Sequence, residues 1–455
     1  MKKLYEIIVA SVISIGAISC SSNDGFQNFE SQEVKVSDIF SMDELTFMSK
    51  EFGNHDIFHA EAIDFITSLP STEATRSDRE SSAIISSVIL KRDFKTDGID
   101  TLSLIPDTLI YILQKDNDYY FYAADYRVTT KFLGSINKEK YIKNSNSESI
   151  AYMKTCMMNY ISNEIRNYEF TKDSMTNIIF QKLNAQKGNE TRARQEKGHS
   201  WSPATHDVEI FYRDLSDWSV ETCGPLLTVD WGQHYPFNEY IKNENGSKNA
   251  PTGCVSTAIA MVLAYWEYPQ TIGSSTIDWN YLTRTKNVST TDQYQCSIAA
   301  TLMKEIGINI FTKYSDKGSS SNFTNACSFL ESHGYDFYHY NYNFNSVKTS
   351  LIYQRPVIIS GYNTNDEGHA WVIDGYKNMS RTKREYIWIR NKETGEEETF
   401  YGNQITEEMN SLHNCWGEVG MESWNAENVF SIDGKAENTF QRNNDIITYT
   451  RPKGL

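Results

Sequence analysis

Ala250-Pro251-Thr252-Gly253-Cys254-Val255-Ser256-Thr257-Ala258-Ile259-Ala260-Met261-Val262 is the stretch on which the fold turns. Pro-Thr-Gly interrupts regular structure. The apolar positions that follow, at 255, 258, 259, 262, 263 and 266, repeat with helical spacing. The pattern predicts a buried helix starting at or beside Cys254. Unpaired N–H groups and the positive dipole end at such a start favour a thiolate over a thiol. A thiolate is a nucleophile, and backbone N–H groups beside it can hold a developing oxyanion. A buried structural cysteine fits the same local pattern, so the segment does not decide the matter alone.

Two further segments widen the reading. In Glu367-Gly368-His369-Ala370-Trp371-Val372-Ile373-Asp374-Gly375-Tyr376 an apolar β-type run follows the histidine, which places His369 at the mouth of a buried strand. A cysteine and a histidine far apart in sequence but brought together in space form the layout of a thiol nucleophile and its base. Gln233, in Trp231-Gly232-Gln233-His234-Tyr235-Pro236, offers a side-chain amide 21 positions before Cys254 (254 − 233). An oxyanion site uses such a donor in addition to a backbone N–H.

The chain has 455 residues, room for two or three domains, and 39% aliphatic, aromatic and cysteine content, enough for a sizeable core. Its net charge of −16 is offset by no Lys/Arg-rich stripe, which argues against a nucleic-acid partner. His199 and His206, and likewise His333 and His339, lack metal-ligand spacing, and no glycine-rich phosphate loop follows a strand. No metal or organic cofactor is expected.

At the N-terminus Lys2 and Lys3 precede an apolar run from Ile7 to Ile18, too short for an ordinary spanning helix and laid out like a secretory signal. Ala17-Ile18-Ser19-Cys20 resembles a bacterial lipobox, which implies lipidation at Cys20, residues 1–19 as signal peptide, and export to the envelope or cell surface. In that reading the lipid is the membrane contact. Six cysteines remain, at 156, 223, 254, 296, 327 and 415, and their spacing suggests unpaired thiols rather than a disulfide framework.

Residues 20–35 read as a flexible tether. An α+β region follows over 36–183. It opens with a capping box at Ser41–Glu44 and continues with strands at 83–90, 109–113 and 119–124 and a helix at 147–168. Residues 184–205 read as an exposed linker carrying Arg192, Arg194 and Lys197, the kind of segment proteases cut. The remainder, 206–455, holds the helix after Cys254 and β-type runs at 356–360, 370–376 and 386–390. A polar insert over about 392–411 reads as a loop near the cleft.

Taken in order, six blocks resemble the streptopain family of papain-like cysteine peptidases. They are Gly224-Pro225-Leu226-Leu227, Trp231-Gly232-Gln233 with Pro236-Phe237-Asn238, Thr252-Gly253-Cys254-Val255, Tyr268-Pro269, Pro356 with Ser360-Gly361, and Gly368-His369-Ala370 through Asp374-Gly375-Tyr376. The resemblance implies a papain-like α+β fold, with the cysteine on the helical part and the histidine on the antiparallel β part. It makes Cys254 the nucleophile, His369 the general base and Gln233 the oxyanion donor. The implied partners are protein or peptide substrates and an activating protease, or the chain itself in self-processing. Asp107–Ile112 and Phe121–Arg127 resemble the propeptide/inhibitor domain that precedes such catalytic domains, so residues 36–183 would occlude the site until the linker is cut.

One run departs from the family pattern. His413-Asn414-Cys415-Trp416-Gly417-Glu418 stands where the family has an Asn-Trp-Gly-Trp-like sequence, so Cys415 takes the position of the asparagine that orients the histidine. A one-residue bulge would bring Asn414 to His369, or Trp416 would shield the pair without it. A relative with impaired catalysis, acting as a surface binding or inhibitor lipoprotein, is the alternative this departure raises.

Overall fold

The structure is a computed structural model. It describes residues 41, 44 and 47 and the segments 55–70, 82–91, 104–188, 206–316, 318–362, 368–395, 397–429 and 442–454. The expected signal, the Cys20 site, the tether and the basic residues Arg192, Arg194 and Lys197 lie outside the described residues.

The first region holds α1 (His59–Ser68), strands β1 (Ile84–Leu90), β2 (Thr108–Lys115), β3 (Asp118–Ala123) and β4 (Phe132–Asn137), and helices α2 (Lys138–Lys143) and α3 (Glu148–Gly188). The period of two along β2 explains its two-sided burial. Tyr111 and Leu113 pack with Ala62 and Ile66 of α1, whereas Ile110 and Ile112 pack with Met153, Met157 and Ile161 of α3. The capping box forms as the sequence implies, with Ser41 N donating to Glu44 Oε2 at 2.8 Å and Glu44 N to Ser41 Oγ at 3.3 Å. Helix α3 runs 20 residues past the expected end at residue 168, into the segment read as linker (188 − 168). Its second half lacks an apolar stripe, so periodicity gives no sign of it.

The second region comprises β5 (His206–Asp214), β6 (Ser219–Cys223), α4 (Cys254–Trp266), the small hairpin β7 (Thr271–Ile272) and β8 (Ser275–Thr276), α5 (Trp279–Leu282), α6 (Gln293–Asn309), α7 (Phe323–Ser332), β9 (Tyr335–Asn341), α8 (Phe344–Ile352), β10 (Val357–Tyr362), β11 (Gly368–Asn391), β12 (Glu397–Cys415), β13 (Glu422–Ala426) and β14 (Arg442–Pro452). The fold is mixed α+β, with Cys254 on a helix and His369 on an antiparallel sheet, the division expected of it. The 392–411 insert is a correction to the sequence reading. It forms no loop at the cleft but most of β12, which pairs with β11 from Cys415 out to Glu397. The hairpin tip thus lies at the opposite end of β11 from His369.

Both regions share one sheet, in the order β1-β2-β3-β4-β13-β12-β11-β10-β14-β9, with β5 and β6 also pairing β11. The junction is β4 against β13, where Ser135 faces Trp424 and Gly134 faces Asn425. Gly134 has φ +154°, and a Cβ there would lie 2.4 Å from the Trp424 carbonyl oxygen, so this approach requires glycine. Alternation along β11 divides the core. Ala370 and Val372 face the cluster that contains α4, while Trp371 and Ile373 face the cluster that contains α3.

Candidate active site

Helix α4 begins at Cys254 because Gly253 breaks the chain at φ +90°, with Ser319 O only 3.3 Å from where a Cβ would sit. Residues Val255 to Ala264 are all buried, which fixes the helix and leaves the half-buried Cys254 at its positive end. Thr257, one turn along, ties this start together. Its hydroxyl lies 2.8 Å from that of Thr252 and donates to Gly253 O at 3.1 Å. Gln233 is held to the same place, since Thr252 N donates to its carbonyl at 3.0 Å. Only Gly253 therefore separates the residue bonded to the Gln233 backbone from Cys254.

His369 is the second residue of β11. Its Nε2 lies 3.0 Å from the Trp416 carbonyl oxygen. A carbonyl only accepts, so Nε2 carries the hydrogen and Nδ1 keeps the lone pair. Trp416 and Trp371 stack roughly parallel to the imidazole at ring-centroid distances of 6.1 and 5.9 Å. Burial holds the imidazole below its ordinary pKa, against smaller opposite effects of the Trp416 carbonyl and Glu418. The Trp416 turn reaches the cysteine helix as well, because Gly417 sits over the Thr257 side chain, 3.4 Å from the position of a Cβ. Val419 N closes on Gly232, the neighbour of Gln233, at 3.0 Å from the corresponding position. The same turn thus joins the segments of Gln233, Cys254 and His369.

The orienting residue differs from the expectation placed on Asn414. That side chain is fully buried and engaged elsewhere: Oδ1 accepts from Trp371 Nε1 at 2.8 Å, and Nδ2 donates to Leu412 O at 2.9 Å and Asn425 Oδ1 at 3.1 Å. Asn414 lies on the face of Trp371 and His369, but the Trp371 indole N–H stands between and takes its oxygen, while Cys415 points to the opposite face. Trp416 stands beside the imidazole by its backbone carbonyl and its ring. Cys415 points toward Asp374.

Tyr152 of α3 is a site residue that sequence reasoning missed. Its ring lies 5.5 Å from that of His369, 5.7 Å from Trp371 and 6.0 Å from Trp416. Its phenol is pushed well up by burial first, then by Cys156 and by the nearby Cys254. Around it, the first region grips the Trp416 turn. Ser149 N donates to Glu418 Oε1 at 3.4 Å, Asn144 Nδ2 to Gly420 O at 3.4 Å, and Lys140 pairs with Glu422 at 2.7 Å. Tyr152 lies within the helix expected over 147–168, and nothing local marks a contact to a strand more than 200 residues away.

Among the described residues, Cys156, Cys223, Cys296 and Cys415 are free thiols, as their spacing suggested. No described helix is long and apolar enough to cross a membrane.

The chain resembles several known proteins. Thiol protease/hemagglutinin PrtT of Porphyromonas gingivalis is 22% identical over 208 residues, which are 38% of this chain and 23% of that protein, so the chain spans about a quarter of its length. A fragment of Prevotella intermedia prointerpain A superposes with TM-score 0.44 at 18% identity, covering 76% of this chain and 96% of that one. Active interpain A, a cysteine protease of the same organism, gives TM-score 0.36 at 22% identity, covering 50% and 94%. The family model that matches is that of the Peptidase C10 family, over residues 231–401, the span that holds Gln233, Cys254 and His369.

Proposed function

We propose that this chain is the zymogen of a cysteine endopeptidase of streptopain type. The observation that carries the reading is a cysteine at the N-terminus of a buried helix, tied through one turn to a histidine whose Nε2–H is held by a carbonyl. In that tautomer Nδ1 is the nitrogen that takes the Cys254 proton. The thiolate then attacks the peptide carbonyl carbon, and the carbonyl π pair moves to oxygen. The Gln233 amide and the N–H groups at the start of α4 hold that oxyanion. Collapse breaks the C–N bond, the amine leaves with the proton from Nδ1, and water resolves the thioester by the same route. The Trp371 and Trp416 rings keep bulk water from the imidazole.

The first region acts as a prodomain in this reading. Tyr152 covers the histidine, the Glu418–Glu422 segment is held from outside, and β4 completes the sheet. A cut in the 184–205 segment, at Arg192, Arg194 or Lys197, would release it. Export with a lipid at Cys20 belongs to the same proposal. The test is full-length protein cut in the linker and treated with a peptidyl thiol-directed inhibitor. Labelling is expected at Cys254 alone, with turnover of denatured casein. Turnover that survives Cys254→Ala would refute the assignment, and labelling without any turnover would favour the inhibitor-lipoprotein alternative.

A further inference from the structure

Asp374, His413 and Cys415 form a cluster that the mechanism above does not use. All three are buried, at 0%, 6% and 5% exposure. They come from two paired strands: His413 and Cys415 are two apart on β12 and so share a face, and Asp374 lies in the irregularity of β11 between Ile373 and Gly375. Sequence spacing does not reveal the set, because strand pairing assembles it.

We propose that these three side chains bind one divalent transition-metal ion of the zinc class. The donor atoms are a carboxylate oxygen, an imidazole nitrogen and a thiol sulfur, all within 4.8 Å of one another. Asp374 Oδ1 is 2.7 Å from His413 Nδ1 and 3.5 Å from Cys415 Sγ, and the sulfur is 4.0 Å from the nitrogen. A tetrahedral zinc with bonds of about 2.0 Å to N and O and about 2.3 Å to S sets edges of roughly 3.3 Å for N–O and roughly 3.5 Å for those with sulfur. The sulfur–oxygen edge already matches. The other two change by about 0.5 Å each, one opening and one closing.

The surroundings suit a ligand set. Asp374 Oδ2 accepts from Leu227 N at 2.9 Å, which fixes the carboxylate and turns Oδ1 to the cluster. The His413 ring lies 4.9 Å from that of Trp424, which limits its rotation. A carboxylate, a thiolate and a neutral imidazole together balance a divalent charge in a place where water does not. Binding releases the thiol proton and the imidazole Nδ1 proton; the latter returns to Nε2. Three protein ligands leave one coordination position for a small exogenous ligand. The ion would tie β11 to β12 one residue before Trp416, the residue whose carbonyl holds His369. The cluster lies wholly in the second region, so it persists after processing.

The experiment uses the full-length Cys254→Ala chain, stripped with a chelator and titrated with Co(II) alone, read by electronic absorption. Removing the nucleophile makes the result independent of whether the chain cleaves peptides. The expected result is one equivalent bound, with a thiolate-to-cobalt charge-transfer band. Adding Cys415→Ser is expected to abolish the band, and adding His413→Gln to weaken binding at least tenfold. No stoichiometric uptake, or a band unchanged by Cys415→Ser, overturns the proposal and leaves a hydrogen-bonded cluster only. If either variant fails to fold, X-ray absorption of the cobalt-loaded parent decides. A single sulfur among nitrogen and oxygen neighbours supports the site, and a shell without sulfur overturns it.

Discussion

Replacing Tyr152 with alanine removes the group that covers His369. The ring makes three aromatic contacts, at 5.5, 5.7 and 6.0 Å. Each is worth about 0.5–1.5 kcal/mol beyond area burial. The ring is only partly buried, which keeps the total at or just below the lower end of the usual range for truncating a large aromatic, at about 2–3 kcal/mol. All of that interaction is made across the boundary between the two regions, so the loss falls on the docked state. At about 1.4 kcal/mol per decade, the open fraction rises roughly 30- to 150-fold. The assay is the rate at which a peptidyl thiol-directed inhibitor modifies Cys254 in the uncut full-length chain, with reclosing fast relative to modification. Tyr152→Ala is expected to raise that rate by the same factor. Tyr152→Phe keeps the packing and loses only the hydroxyl, so its rate is expected to rise no more than about fivefold. An alanine variant that folds normally yet reacts within twofold of the parent would show that Tyr152 does not gate the site.

Three more outcomes follow from the same geometry. Burial depresses the His369 pKa, so the neutral ring stabilises the docked state fully above the ordinary value of about 6.5, and this contribution is lost as pH falls through the depressed value. NMR titration of His369 in the Cys254→Ala chain is expected to give a midpoint below 6.5 when intact and a higher one after prodomain removal; equal midpoints contradict the assignment. Asn414→Ala leaves the Trp371 indole N–H without its acceptor, removes one of the two donors to Asn425 Oδ1, and is expected to cost about 2–4 kcal/mol in thermal denaturation. In the folded, processed fraction kcat is expected to stay within about threefold, and a hundredfold loss there would restore Asn414 as the orienting residue. Gly134→Ala forces a Cβ against Trp424 O and is expected to loosen β4 from β13, seen as faster prodomain dissociation after linker cleavage; unchanged dissociation kinetics would show that the junction yields without cost.

Much of this was legible in the residues. The helix after Cys254, the strand after His369, the β2–β3 hairpin and the Ser41–Glu44 box all rest on local chemistry: a glycine at positive φ, alternation, a reciprocal cap. What escaped has long-range causes. The 392–411 run is polar because it forms an arm of β12 that, among the described residues, is paired along one side for most of its length, so it has no apolar alternation to betray a strand. Asn414 was a reasonable orienting residue by chemistry and shares the Trp371 face with His369, but its amide is taken up by the Trp371 indole N–H, Leu412 O and Asn425 Oδ1. Backbone carbonyls leave no trace in a sequence, and so the partner of His369 Nε2 could not be read.

The shared sheet has a consequence for what activation leaves behind. While β4 is in place, β13 is an interior strand with hydrogen-bonding partners on both sides. In the proposed zymogen, loss of the first region would turn Glu422–Ala426 into a rim with a row of unpaired amides and carbonyls, next to Trp424 and the Trp416 turn. Such a rim templates other extended chains. The mature form would then be the less colloidally stable of the two, scattering light in a concentration-dependent way that added prodomain suppresses. On that proposal the leading region would also serve as a chaperone for the edge it conceals.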